Sequence, residues 1–182
     1  MGWRALGDSA WLFVATAGET SEKLAQILRM RRQLEFGRIP QIRDLVSSFD
    51  SVAVHFDPRD GEAVMEWLKS IEMPAADDDA KASDRTHVIP LRYGNDHDKV
   101  AKKLGRTVKE VIRLHSSATY AVAAIGFSPG FPYLIGLPKE LRLPRLDTPR
   151  PVSAGSVAIA GDQAGIYPFD SQGGWHVIGQ TS

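Results

Sequence analysis

Apolar positions along the chain fall into two regimes. Up to about residue 118 they recur with helix or strand period, and beyond it they come in short runs cut by glycine and proline. Trp11–Ala15 reads as a first strand. Over Glu19–Leu34, residues Leu24, Ile27, Leu28, Arg31 and Leu34 sit near helical spacing. Arg29, Arg31 and Arg32 crowd the end of this helix, where cations suit the dipole; they read as a phosphate or partner site, or as a solvated helix end. Ile42–Ser48 and Ser51–Phe56 are β-prone runs flanking Phe49-Asp50, which predicts a hairpin. Asp57-Pro58 stops the second strand, and Asp60 is placed to cap a helix whose Val64, Trp67, Leu68 and Ile71 form an amphipathic stripe. Trp67 on that stripe reads as core.

Met73–Asp84 is small, polar and acidic without periodicity, and is expected to be an exposed loop or linker. Its run Asp77–Asp79 reads as solvated rather than as a cation site, because consecutive carboxylates point different ways. Thr86–Tyr93 is predicted as a strand, with Pro90 arguing for an edge or a bulge. Asp96–Leu104 is a short helix. Thr107 and Glu110 then match a capping box opening a helix that runs to about His115, with Val108, Val111, Ile112 and His115 on one face. His115 reads as a partly buried, hydrogen-bonded histidine at a helix end, or as a site residue. Tyr120–Ile125 is an apolar strand. These elements place a boundary near residue 85: an N-terminal α/β domain over 1–85, then connector helices and a β domain over 86–182, with 86–118 able to pack on either lobe. The fold class is α+β.

Residues 126–179 carry nine of the 16 glycines and seven of the 11 prolines, so backbone turns rather than helix period shape this stretch. Phe127, Phe131 and Tyr133 alternate with Pro129 and Pro132, an apolar ribbon suited to recognition. Lys139, Arg142, Arg145 and Arg150 follow as a basic rim suited to carboxylate or phosphate. Ser153–Ser156 and Gly161–Gly165 supply small residues where a ligand could approach backbone amides, and Gly173-Gly174-Trp175 adds an aromatic. A Gly/Pro-rich barrel with its necessary turns accounts for the same letters.

Composition narrows the chemistry. The chain has 182 residues, 43% hydrophobic and 24% charged, with 22 basic and 22 acidic side chains. Such a chain can build a core without staples, and its zero net charge favours neither nucleic acid nor a membrane surface. There is no cysteine, which excludes disulfides and thiolate chemistry and fits a cytosolic setting. The apolar run Ala10–Ala17 is too short and too weakly flanked for a signal peptide. The five histidines show no metal-ligand spacing, and no nucleotide-binding motif occurs, so no metal is expected. Gly126-Phe127-Ser128-Pro129-Gly130 spells a nucleophile elbow, but Pro129 removes the N–H that an oxyanion hole needs there.

GFSPGFPYLIGL, PRLDTPR, AGSVAIAG, GIYP and GGWHVIG together resemble the allophanate hydrolase subunit 1 family, also called the kinase A inhibitor family, and the likeness extends back through VIRLHSSATY and IPLRYG. The resemblance implies a cyclophilin-like β-barrel as the C-terminal domain. It implies the B-type component of a hetero-oligomeric ATP-dependent 5-oxoprolinase, a ring-opening amidohydrolase. The site would be shared with a paralogous C-type subunit, and an A-type subunit would complete the complex. ATP would come through the complex, the substrate would be a small carboxylate, and the isolated chain would be inactive. Alternative roles within the same resemblance are inhibition of a sensor histidine kinase, or half of an allophanate hydrolase or urea carboxylase-type carboxyltransferase unit. The binding residues it points to are Phe127, Pro129, Phe131, Tyr133, Arg145, Arg150, Ser156, Tyr167 and Trp175, with His115 added from the helix reading; it assigns no catalytic residue. The family motif ends Gly-Arg-Thr-Pro where this chain reads Gly179-Gln180-Thr181-Ser182, and relatives carry further strands, so a C-terminally truncated β domain is expected.

Overall fold

The computed structural model describes residues 2–16, 18–72 and 86–182, which form two compact units, Met1–Arg85 and Thr86–Ser182. The linker expected over 73–84, with its aspartate run, lies outside the described residues.

The first unit is a four-stranded antiparallel sheet, ordered β1 (Trp3–Ala5), β2 (Ala10–Val14), β4 (Ser51–Phe56), β3 (Ile42–Ser47), with helices α1 (Thr20–Phe36) and α2 (Gly61–Ser70). The predicted hairpin forms, with Val46 opposite Ala53. Helix α1 buries Leu24, Ile27, Met30 and Leu34, so Met30 rather than Arg31 completes the stripe. Arg31 instead donates to Glu35 at 2.8 Å and to Ser47 at 3.0 Å, which answers one of the three arginines with intramolecular partners. Asp60 occupies the N-cap position of α2 without a side-chain cap; the Asp57 carboxylate accepts from the Arg59 N–H and caps the preceding single turn. The helices and the sheet share one core in which Ile27, Met30, Leu34, Val64 and Leu68 meet Phe13, Val52, Val54 and Phe56, with Trp67 packed against it. Strand β1 escapes the pattern because three residues carry no readable period.

The second unit is built on six antiparallel strands in the order β5 (Arg92–Tyr93), β12 (His176–Gln180), β9 (Ser156–Ala160), β10 (Gln163–Ile166), β7 (Pro132–Ile135), β6 (Ala121–Ile125). A two-stranded ribbon, β8 (Arg150–Val152) and β11 (Ser171–Gly173), lies beside it. Of the strand predicted over Thr86–Tyr93, only the last two residues join a ladder, and they do so at the sheet edge. Pro90 has no N–H to give to that ladder. Helices α3 (His97–Lys103) and α4 (Val108–Ser117) belong to this unit: Val100, Ala101 and Val111 share a core with Ile159, Ile178 and Leu141. Helix α4 opens on the expected capping box, with the Glu110 N–H donating to Thr107 Oγ1 at 3.2 Å and the Thr107 N–H to Glu110 Oε2 at 2.8 Å.

Strand β9 is buried along its whole length because the sheet is covered on both faces. Ile159 faces the helices, while Ala158 and Ala160 face a second core formed with Phe131, Tyr167, Trp175, Val152 and Val177. Gly165 stands between Tyr133 of β7 and Ala158 of β9. A Cβ there would fall 2.6 Å from Phe131 Cζ and 3.1 Å from Trp175 Cζ3, so the rings occupy the space of the missing side chain. Gly165→Ala should therefore cost about 1–3 kcal/mol by overpacking. Urea unfolding should show the midpoint falling with an unchanged m-value, and a midpoint equal to that of the parent would refute this packing argument.

Candidate functional site

The side chains expected at a site separate into three groups. The largest is an aromatic cluster centred on Phe131, which is only 2% exposed. Its ring centroid lies 4.9 Å from Tyr133, 5.1 Å from Tyr167, 5.3 Å from Phe127 and 5.8 Å from Trp175, every pair edge-on. The positive ring edges thus meet negative faces, each pair adding about 0.5–1.5 kcal/mol beyond burial. The Arg145 guanidinium lies over the Trp175 ring, 5.7 Å from its centroid. Phe131, Tyr167 and Trp175 therefore form a buried floor, and of the ribbon read from the sequence Phe131 is withdrawn into the core. What the cluster leaves at the surface is Phe127, Pro129 and Arg145, with Tyr133 half-buried. Gly161–Gly165 offers no approach for a ligand at Gly165, where rings fill the space. Ser156 is buried as well, its carbonyl accepting from the Tyr167 N–H at 2.9 Å, so it holds the floor in place rather than facing a ligand.

The second group is an ion pair. Asp96, 5% exposed, stands between Arg150 and Lys99, the latter 3.4 Å away. Arg150 is thereby already neutralised and is not the free anion-binding edge that the basic run suggested. Asp96 is itself placed by its N–H, which donates to the Val177 carbonyl of β12 at 2.8 Å. Sequence reading saw only a helix start at Asp96; its one signal was a carboxylate followed three residues later by Lys99. Two residues before it, at Gly94, the N–H donates to Ile178 O at 3.0 Å, so this turn is stitched to the same strand.

His115 forms a third group, in the helix-side core and apart from the aromatic cluster. Its Nδ1 shares a hydrogen with Tyr93 Oη at 2.8 Å, and Tyr120 Oη donates to its backbone carbonyl at 3.1 Å. Burial pushes the imidazole down to about 4 and pushes both phenols up. His176, the first residue of β12, is buried, with Nε2 3.0 Å from the Pro144 carbonyl. A carbonyl only accepts, so Nε2 carries the ring proton. Burial also lowers this imidazole, with Lys103 and Arg150 acting in the same direction and the Pro144 bond opposing. No group of three or more His, Asp or Glu side chains that could hold a metal occurs among the described residues. No helix among them is long and apolar enough to cross a membrane.

The chain is a two-unit α+β protein whose second unit stacks rings beneath a surface arginine. The whole chain, residues 1–182, matches the family described as carboxyltransferase domain, subdomain C and D, and it belongs to that family. It is 34% identical over 193 aligned positions to the B-type subunit of the 5-oxoprolinase of Bacillus subtilis strain 168, a match covering 97% of this chain and 80% of that protein. It is 51% identical over 98 positions to the corresponding 5-oxoprolinase subunit of Haemophilus influenzae, covering 51% of this chain and 46% of that protein. The crystal structure of TTHA0988 superposes with a TM-score of 0.81 at 34% identity over 94% of this chain, which amounts to 34% of that longer chain. The Kluyveromyces lactis urea carboxylase shares the fold, with a TM-score of 0.72 at 19% identity, over 19% of its length.

Two measurements check the charged groups. An unfolded histidine takes a proton near pH 6.5, whereas His115 in the fold takes one only near pH 4. Its contribution is therefore fully present above pH 6.5 and is lost as pH falls towards 4, by up to about 3 kcal/mol. His115→Gln should flatten the stability–pH curve in that window, leaving the slope that His176 adds and, at the acid end, that of Glu110. Asp96→Asn should leave the Arg150 charge unpaired; with that side chain 38% exposed, the loss is about 1–2 kcal/mol, below the range for a fully buried pair. A double-mutant cycle with Arg150→Gln should return a coupling energy of that size, and additivity would refute the pair.

Proposed function

We propose that this chain is the B-type subunit of a hetero-oligomeric, ATP-dependent 5-oxoprolinase, in which the lactam C–N bond is hydrolysed to give glutamate. The observation carrying this reading is the 34% identity, across 97% of the chain, to the B-type 5-oxoprolinase subunit of B. subtilis. The aromatic cluster is compatible with it. Arg145, exposed over the Trp175 ring, offers a guanidinium to a small carboxylate.

The groups gathered at the cluster also argue for a composite site. They are rings and guanidinium groups. Burial raises the Tyr167 phenol above its ordinary value, with Arg145 and Arg150 opposing, so it is no base at neutral pH. His176 is held against the Pro144 carbonyl. The general base that ring opening needs would come from a C-type partner. The sequence holds no phosphate-cradling motif, and at Gly165 the space is filled by rings. ATP binding is assigned to the partner subunits.

A histidine-kinase inhibitor remains the competing reading, favoured by the exposure of Phe127, Ile125 and Val122. Reconstitution separates the two. The chain alone should release no glutamate from 5-oxoproline, and ATP-dependent release should appear once the A-type and C-type partners are added. Arg145→Ala should then raise KM for 5-oxoproline by about tenfold or more, the scale of a lost charge-assisted hydrogen bond. A complete but silent complex would overturn the assignment.

A further inference from the structure

Two non-glycine residues among those described hold a positive φ: Asn95 at 59° and Phe127 at 67°. Asparagine tolerates that region, whereas a phenylalanine there is an outlier. The hydrogen bonds give the local cause. The Ser128 N–H donates to the Gly126 carbonyl at 2.8 Å, which closes a three-residue turn centred on Phe127. With φ at 67° this is the γ-turn of the rare, strained form. The next turn is relaxed by comparison. The Phe131 N–H donates to Ser128 O at 3.0 Å, with Pro129 second and Gly130, at φ 81°, third, the pattern of a type II turn. The Gly126 N–H to Phe131 O bond, 3.1 Å, closes the whole loop between β6 and β7.

A glycine at position 127 would make this loop without strain. The ring gains little from the fold in exchange, since Phe127 remains 59% exposed. It touches the cluster edge-on only, with centroids 5.3 Å from Phe131 and 6.1 Å from Tyr167. Strain kept at a side chain that stays largely exposed points to a contact outside the fold. Arg145 reaches the same floor through Trp175, which stacks edge-on against Phe131.

We propose that Phe127 is a substrate-contacting residue, held by the strained turn so that its exposed ring forms an apolar wall against the ring methylenes of a small lactam carboxylate. This rests on the 5-oxoprolinase reading. The chemistry asked of Phe127 is packing alone: it makes the site select a compact lactam ring over an open-chain carboxylate.

The test compares Phe127→Gly and Phe127→Leu with the parent, as isolated chains and assembled with the partner subunits. Glycine relieves the turn but gives up two edge-on ring pairs, effects of similar size, so its Tm should stay within about 5 °C of that of the parent. Assembly should be unchanged by size-exclusion chromatography. KM for 5-oxoproline should rise about tenfold or more while kcat changes less than about threefold, the signature of lost packing against substrate. Leucine keeps an apolar wall and the strain, so its KM should rise less without a gain in Tm. A fall in Tm of more than about 5 °C on glycine substitution would make the ring a piece of the fold. Loss of assembly would make it a contact to the partner subunit. An unchanged KM in an active complex overturns the proposal while leaving the function standing. A parent complex that does not act on 5-oxoproline removes the function, and the lactam assignment with it.

Discussion

The second unit depends on one close approach: the Phe131 ring lies where Gly165 has no side chain. Four further rings meet Phe131 edge-on, and through them β7, the loop before it, the end of β10 and the segment before β12 are tied into one core. The approach is possible because two neighbouring strands bring Tyr133 and Ala158 opposite Gly165 and leave room on that face. Large rings bury much apolar surface with few rotatable bonds, so a small unit can be organised about them at low entropic cost.

That arrangement also divides labour between stability and recognition. Rings that look like a recognition ribbon in sequence are mostly committed to the core, and only Phe127 and Arg145 stand clearly outside it. Arg150 is withdrawn in the same way, because its charge is answered by Asp96 from the turn before α3. The surface left is sparse in chemistry: an apolar ring, a guanidinium and no base. Relatives of this chain are named as subunits of 5-oxoprolinase.

Legibility followed distance along the chain. The hairpin of β3 and β4, the capping box of α4 and the stripe of α2 rest on contacts within a few residues, and each formed as its spacing implied. Helix α1 was right in extent but wrong by one position in its stripe, since Met30 and Arg31 both lie near the turn that faces the core. The pair Asp96–Arg150 spans 54 residues and left no mark in either local sequence. The strain at Phe127 was equally hidden, because the letters Gly-Phe-Ser-Pro-Gly announce turns without saying which residue must take the costly one.

The sequence by itself determined the α+β class, the helices and hairpin of the first unit, the turn-rich character of the second and the set of aromatic and basic residues from which a site could be made. These follow from local periodicity and from the backbone freedom of glycine and proline. Only the tertiary structure decided which of those residues remain available. Burial on both faces of a sheet consumes Phe131, Tyr167, Trp175 and Ser156, and an ion pair consumes Arg150. Availability is a property of what packs on top of a residue, and that is set by contacts between segments too far apart for any local pattern to record.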